Sequence, residues 1–201
     1  MDRQDLRWIV VFLVLGVFGV GVFVRYFDQA FPIASLNFKL TRTEAYEKAE
    51  DYIQKMGYDT QDYRSAQVLD SAGLQQVFLE RTLGLEKANQ LARDWVSIWY
   101  WHMRWFKSLE KEELRLRLDP GGRVVGFEHR ILESAEGASL EQDEALQIAE
   151  TFLRDTQGFN LENYERIESA SKERAKRLDH TFTYRKNHFM VGEDGHYRLK
   201  V

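Results

Sequence analysis

The longest apolar run of the chain extends from Trp8 to Val24 and contains no charged residue. As an α-helix, residues 8–24 would span ~25 Å at about 1.5 Å per residue, close to the ~30 Å hydrocarbon core of a bilayer. Arg7 and Arg25 flank the run, where their charged groups can reach the two membrane interfaces. The pattern therefore predicts that residues 1–27 form a short stub and a transmembrane anchor in contact with the lipid bilayer.

A cleaved signal peptide and a buried soluble helix are the alternative interpretations of this run. Signal peptides usually carry only ~7–15 apolar residues and end at a small-x-small cleavage site. Here the run is longer and continues into Arg25-Tyr26-Phe27. A helix that is apolar on every side has little core to enter at an N-terminus. We therefore favour the anchor.

Basic residues are nearly balanced on the two sides of the run, so charge alone does not decide the orientation. Because a short N-terminal stub stays readily in the cytoplasm, we expect residues 26–201 to be extracytoplasmic. Residues 28–40 are predicted to be a membrane-proximal linker. Pro32 should stop any helix that continues from the membrane, and the alternation over Ile33–Leu40 predicts a short strand or an extended segment.

A second helix is predicted to begin at Thr41, because Thr41-x-x-Glu44 has the spacing of a capping box. Small and apolar residues then recur on one helical face, and Gly57 is placed to end the helix. The residues of this face are Ala45, Ala49, Tyr52, Ile53 and Met56.

The same pattern returns one hundred residues later, where Glu144-Ala145 corresponds to Glu44-Ala45. The first helix leads into Gly57-Tyr58-Asp59-x3-Tyr63, and the second leads, after a one-residue insertion, into Gly158-Phe159-Asn160-x3-Tyr164. Amphipathic helices resemble one another, but the shared tail favours duplication. We expect an α+β fold with two tandem modules over residues 41–133 and 134–201, each with a helix packed on an antiparallel sheet.

The remaining elements follow from shorter patterns. A helix is predicted within Gly84–Asp94, and an aromatic strand with both faces occupied within Trp95–Lys107. Asp119-Pro120-Gly121-Gly122 predicts a type II turn with the positive φ at Gly121. The other predicted strands are Ser65–Leu69, Gln76–Arg81, Glu113–Leu118, Arg123–His129, Tyr164–Ser169, His180–Arg185 and Tyr197–Val201. Because the sequence stops within the last of these strands, we expect the second module to be incomplete and the natural protein to continue beyond it.

Composition narrows the possible functions. The formal net charge is -4, with 30% charged residues of mixed sign, which argues against a nucleic-acid partner. The chain has no cysteine, so neither a thiol nucleophile nor a disulfide is available. Removal of the anchor leaves about 175 residues, which is enough for one large domain or two small ones.

The order of several short motifs resembles the N-terminal region of large bacterial CPBP-family intramembrane metalloproteases. These motifs are AFPI at Ala30–Ile33, the TRTEA helix start, LRLRLDPGGRVVGFEH, LDHTFTYRK at Leu178–Lys186 and the final YRLKV. The helix-plus-sheet repeat is similar to PepSY modules of extracytoplasmic bacterial proteins. The resemblance implies a regulatory or substrate-gating domain in the bacterial cytoplasmic membrane, ahead of a multi-helix protease. The competing hypothesis is a stand-alone anchored module that binds peptides or inhibits a protease.

No combination of residues predicts catalysis by this chain, and we expect no cofactor and no metal site. The Glu-Glu-x-x-x-Arg signature of the family is matched formally by Glu112-Glu113 and Arg117, but on a predicted hairpin strand rather than a membrane helix. His188 and His196 flank Glu193-Asp194, where a polar hairpin turn is a better interpretation than a metal loop.

The aromatic strand is the best candidate for a binding function. Trp99, Trp101 and Trp105 could line a groove for an extended peptide, because aromatic residues often anchor interfaces. The alternative is that the same side chains fill the core beneath the helices.

Overall fold

The structure is a computed structural model that describes residues 3–31, 36 and 39–201. It has an α+β fold with an N-terminal apolar helix and two antiparallel sheets, which confirms the predicted fold class at this level. The helices are α1 (Arg3–Ala30), α2 (Arg42–Lys55), α3 (Gly73–Leu83), α4 (Leu85–Asp94) and α5 (Gln142–Thr151). The strands are β1 (Arg64–Ser71), β2 (Trp99–Phe106), β3 (Glu113–Leu118), β4 (Val124–Arg130), β5 (Tyr164–Glu173), β6 (Leu178–Val191) and β7 (Gly195–Lys200).

The first sheet has the strand order β1-β2-β3-β4, and the second has the order β5-β6-β7. The chain divides into two compact units. The first unit comprises the described residues of Met1–Asp59 together with Gln67–Met103 and Leu116–Phe127. The second unit comprises Thr60–Ala66, Arg104–Arg115 and Glu128–Val201. The module boundary between residues 133 and 134 stays a prediction.

Helix α1 is a candidate membrane-spanning helix by length and composition. Gln4–Phe27 meets both criteria, and none of its most apolar stretch is buried. Signal sequences near an N-terminus meet the same criteria, so the anchor itself stays a prediction. The predicted extended segment over Ile33–Leu40 lies mostly outside the described residues.

Helix α2 begins as its sequence predicts. The Thr41 N–H donates to Glu44 Oε2 at 2.8 Å, and Thr41 Oγ1 accepts from the Glu44 N–H at 3.3 Å, which completes the capping box. Ala45, Ala49 and Ile53 are fully buried on the predicted face. The helix is followed by Gly57, which has a left-handed φ of 87°.

The strand predicted over Gln76–Arg81 is wrong, because these residues belong to α3. Six residues are too few to separate a repeat of two from a repeat of 3.6. At helical spacing, buried Leu79 lies over half-buried Leu83, and Gln76 Nε2 donates to Glu80 Oε1 one turn away at 2.9 Å. The helix predicted within Gly84–Asp94 is confirmed as α4.

The β3–β4 hairpin is confirmed, but its turn differs from the predicted type. The positive φ of 85° lies at Gly122 rather than Gly121, and the Gly122 N–H donates to the Asp119 carbonyl at 2.8 Å. This is the geometry of a type I turn followed by a left-handed glycine. The Asp119 carboxylate accepts from the N–H groups of Gly121 and Arg123, at 3.0 and 2.8 Å, and thereby stabilises this turn.

Helix α5 packs on the second sheet around a small core. Leu153, Phe182 and Tyr184 are buried there, with Ala145 and Ala149 of α5 packed against them. The Tyr184 hydroxyl donates to Glu150 Oε1 at 3.0 Å, and burial together with this carboxylate raises the pKa of Tyr184 to about 12. The predicted turn near Glu193-Asp194 is confirmed by the pairing of Val191 with Gly195.

The ends of the two predicted repeats have corresponding backbone hydrogen bonds. The Tyr58 N–H donates to the Ile53 carbonyl at 3.2 Å, and the Phe159 N–H donates to the Leu153 carbonyl at 2.9 Å. The second pair spans one residue more, because α5 continues into a π-helical turn over Phe152–Thr156. A π-helical turn accommodates one extra residue in an α-helix, so the insertion seen in the sequence has a direct structural counterpart.

Candidate functional site

Strand β2 lies within the segment predicted as a strand, and its two faces differ in burial. Trp101, Met103 and Trp105 face inwards with 9%, 0% and 1% exposure, and the residues between them are half-buried. An extended peptide has no access to the rings of Trp101 and Trp105 in this conformation, because both are enclosed by the protein. Their placement agrees with the core alternative, and neither residue belongs to the site described below.

Trp99, the third tryptophan of the predicted groove, lines a cleft of about 280 Å³ in the first unit. One side of this cleft is the end of α4 with the segment that leads into β2, and the other side is the β3–β4 turn. Trp95 also lines it and is 60% exposed. The remaining lining residues are Lys39, Ala92, Arg93, Asp94, Val96, Ser97, Ile98, Asp119, Pro120, Gly121 and Arg123.

A hydrogen-bonded cluster forms the wall of the cleft on the turn side. Ser97 Oγ donates to Asp119 Oδ2 at 3.3 Å, and Arg123 donates to the same carboxylate through Nε at 3.1 Å. Arg123 Nη2 also donates to Ser97 Oγ at 3.0 Å. These bonds join the turn to the segment before β2, so the two sides of the cleft are held together by side chains.

Two described residues that follow α1, Phe31 and Lys39, contact the elements that form the cleft. Asn89 Nδ2 on α4 donates to the Phe31 carbonyl at 3.1 Å, and the Lys39 N–H donates to the Pro120 carbonyl at 3.0 Å. α1 itself contacts α4. An exposed indole beside both cationic and acidic side chains suits a polypeptide, which offers apolar groups, charges and backbone hydrogen bonds together.

Of the residues in the formal Glu-Glu-x-x-x-Arg match, Glu113 on β3 lies in a cluster of ion pairs. Glu113 is buried and contacts the guanidinium groups of Arg104 at 2.9 Å, of Arg115 closely and of Arg130 at 3.7 Å. Burial alone would raise the pKa of Glu113, but the hydrogen bonds from Arg104 and Arg115 outweigh it and lower that pKa. Glu112 contacts His129 instead, at 2.9 Å.

Within residues 3–31, 36 and 39–201, no group of three or more His, Asp or Glu side chains is placed to hold a metal ion. His188 is exposed and has a positive φ of 55°, at an irregularity of β6. His196 pairs across the hairpin with Met190.

Sequence reasoning missed Trp95 as a site residue, together with Arg93, Asp119 and Arg123. The two sides of the cleft are about twenty residues apart in the sequence, and only the tertiary fold brings them together. The available signal was a tryptophan directly after the polar end of an amphipathic helix, where no core face continues.

Comparisons of the chain with protein-family models, with curated proteins and with solved structures found no match. The function is therefore inferred from the geometry of the site and from the sequence resemblance.

Proposed function

We propose that this chain is a non-catalytic, membrane-anchored domain that binds an extended polypeptide in the cleft beside α1. The observation that carries the proposal is the exposed Trp95 in a cleft of mixed charge, formed in the same compact unit as the candidate membrane helix. A polypeptide bound there would lie next to the point where the chain leaves the bilayer.

The finer proposal is that the chain is the extracytoplasmic regulatory or substrate-gating region of a CPBP-type intramembrane metalloprotease in a bacterial cytoplasmic membrane. The order of motifs from Ala30 to Val201 supports it. A binding site close to the membrane would suit this role, because the substrates of such a protease must be delivered at the bilayer.

The proposal includes two PepSY-like modules. It is supported by the left-handed glycines Gly57 and Gly158, with φ of 87° and 71°, at the ends of the two repeats. It is also supported by the matching hydrogen bonds of the Tyr63 N–H to the Thr60 carbonyl and of the Tyr164 N–H to the Leu161 carbonyl.

The second candidate function, a stand-alone peptide-binding or inhibitor module, would use the same cleft. The coding sequence after Val201 separates the two.

Binding is tested with the full chain in detergent and an unfolded polypeptide, fluorescein-labelled casein, followed by fluorescence anisotropy. Trp95→Ala should weaken binding about tenfold or more, because removing an anchoring tryptophan costs at least ~1.4 kcal/mol. Val68→Ala is the control, since Val68 is 56% exposed on β1 and does not line the cleft.

Unchanged affinity of Trp95→Ala, or an equal loss in both variants, would contradict the cleft as the binding site. Cleavage of casein by the purified chain, abolished by His188→Ala or His196→Ala, would contradict the non-catalytic assignment.

A further inference from the structure

Helix α3 carries an apolar stripe that faces away from the protein. Leu74, Val77 and Phe78 are 86%, 45% and 40% exposed, and their spacing of three and four residues places them on one helical face. Leu79, on the opposite side, is only 4% exposed and anchors the helix to the protein. An exposed apolar stripe on one helical face is a candidate interaction surface.

The stripe is structurally connected to the candidate membrane helix. α3 packs against α4, and α4 packs against α1, all within the first compact unit. The hydrogen bond from Asn89 to the Phe31 carbonyl places α4 at the C-terminal end of α1. α1 continues from Val24 to Ala30, which is ~9 Å of helix beyond the apolar run. This length is close to the ~5–8 Å thickness of the headgroup layer on one side of a bilayer.

We propose that the Leu74–Val77–Phe78 face of α3 inserts into the boundary between the headgroups and the acyl chains of the bilayer that α1 crosses. The proposal rests on the anchoring part of the proposed function and is independent of the peptide cleft. The domain is then held against the lipid surface by two elements, a spanning helix and a shallow interfacial helix.

The chemistry of α3 agrees with a lipid surface. At a lipid surface, Leu, Val and Phe side chains lie among the acyl chains and a basic side chain lies among the headgroups. Arg81 lies three residues after Phe78, in the last turn of α3, and is exposed. Its guanidinium can bind a lipid phosphate from this position. Ring contacts of Phe23 with Phe27 and of Phe27 with Phe31 extend the apolar surface of α1 as far as the residue whose carbonyl accepts from Asn89 of α4.

The absence of natural cysteine makes site-specific labelling direct. We suggest single-cysteine variants of the full chain, Leu74→Cys and Phe78→Cys, each labelled with a polarity-sensitive fluorophore in phosphatidylcholine–phosphatidylglycerol liposomes. Spin-labelled lipids quench a probe in the bilayer, whereas iodide quenches a probe in water. Ile148→Cys is the matched control, because Ile148 is 58% exposed on α5. Val14→Cys reports on the anchor itself.

We expect spin-labelled lipid to cause a loss of emission at residues 74, 78 and 14, and iodide to cause it at residue 148. Equal quenching by iodide at residues 74, 78 and 148, with lipid quenching at residue 14, would overturn the interfacial role of α3 while leaving the anchor intact. Absence of lipid quenching at residue 14 would overturn the anchor and the proposal with it. Protection at residues 74 and 78 that disappears when the protein is diluted in lipid would show a second copy as the occupant, which also overturns the proposal.

Discussion

Gly122 combines a left-handed backbone conformation with two flexible side chains close to its Cα atom. Its φ is 85°, and a Cβ atom would lie 2.6 Å from Leu40 Cδ1 and 2.9 Å from Lys48 Nζ. Gly57 has nearly the same φ, 87°, but a Cβ atom there would meet nothing within 4 Å. Comparing an alanine substitution at Gly57 with one at Gly122 therefore distinguishes the free-energy cost of backbone strain from that of close side-chain contacts.

We expect Gly57→Ala to lower the free energy of unfolding by about 1 kcal/mol through strain alone. Gly122→Ala should lower it by slightly more, about 1–2 kcal/mol, because the flexible ends of Leu40 and Lys48 must also move aside. Thermal unfolding of both variants in detergent, followed by circular dichroism, provides the comparison. Equal losses would show that Leu40 and Lys48 move aside without cost.

Two groups of residues, in β2 and in the β3–β4 turn, show which structural features the sequence predicts and which it does not. The alternation of Trp101, Met103 and Trp105 correctly predicted that they share a face of β2, because side chains in a strand point alternately to opposite sides. The pattern left two interpretations of this face open, a peptide groove and a buried core, because burial depends on what packs against the sheet, and the placement of these residues agrees with the core. The position of the turn after β3 was predicted correctly, but its type was not. The Asp119 carboxylate accepts hydrogen bonds from the backbone N–H groups of the turn and thereby stabilises the observed geometry.

Among the elements, long periodic segments were predictable and short ones were not. α1 and α2 followed from more than three turns of pattern each, and α2 had a complete capping signal. α3 was not recognised, because its exposed apolar stripe disturbs the usual division into a buried and a polar face. The feature that made α3 hard to predict is thus the one that suggests an interaction with lipid.

The two repeat helices begin with the same backbone geometry but different caps. Thr41 has φ -68° and ψ 167°, and Glu141 has φ -67° and ψ 153°, yet only Thr41 accepts a side-chain hydrogen bond from the helix. Because Glu144 already stands three residues after Glu141, Glu141→Thr would create the same Thr-x-x-Glu spacing.

Glu141→Thr should raise the free energy of unfolding by about 1 kcal/mol, the typical contribution of an N-cap. Thr41→Ala should lower it by a similar amount. Both changes can be measured as shifts of the thermal midpoint under the same detergent conditions. A neutral Glu141→Thr combined with a destabilising Thr41→Ala would argue that the two helix starts are not equivalent.

For the whole molecule, sequence reasoning reached the α+β class, the apolar N-terminal helix and the two antiparallel sheets. It did not reach the cleft, because Trp95 and Asp119 come together only when the β3–β4 turn lies beside the end of α4. The residues of a capping box or a hairpin turn lie at a fixed short spacing in the sequence, which makes them recognisable. Residues of a site assembled from separate segments have no such spacing.

Anchoring by α1 is the property on which the remaining functional proposals depend. If α1 spans the bilayer, the full-length protein should remain in membranes during alkaline carbonate extraction, since peripheral proteins are released by this treatment. Leu13→Arg combined with Val17→Arg should move it to the soluble fraction, because each arginine at the centre of a spanning helix costs about 2.5–3.5 kcal/mol of insertion free energy. Ile148→Arg, on an exposed face of α5, serves as the control and should leave the protein in the membrane.

Protease added to the outside of spheroplasts should digest residues 26–201 in the wild type. Recovery of a shortened wild-type protein from the soluble external fraction would instead identify α1 as a cleaved signal sequence, and the lipid contact of α3 would then lose its basis.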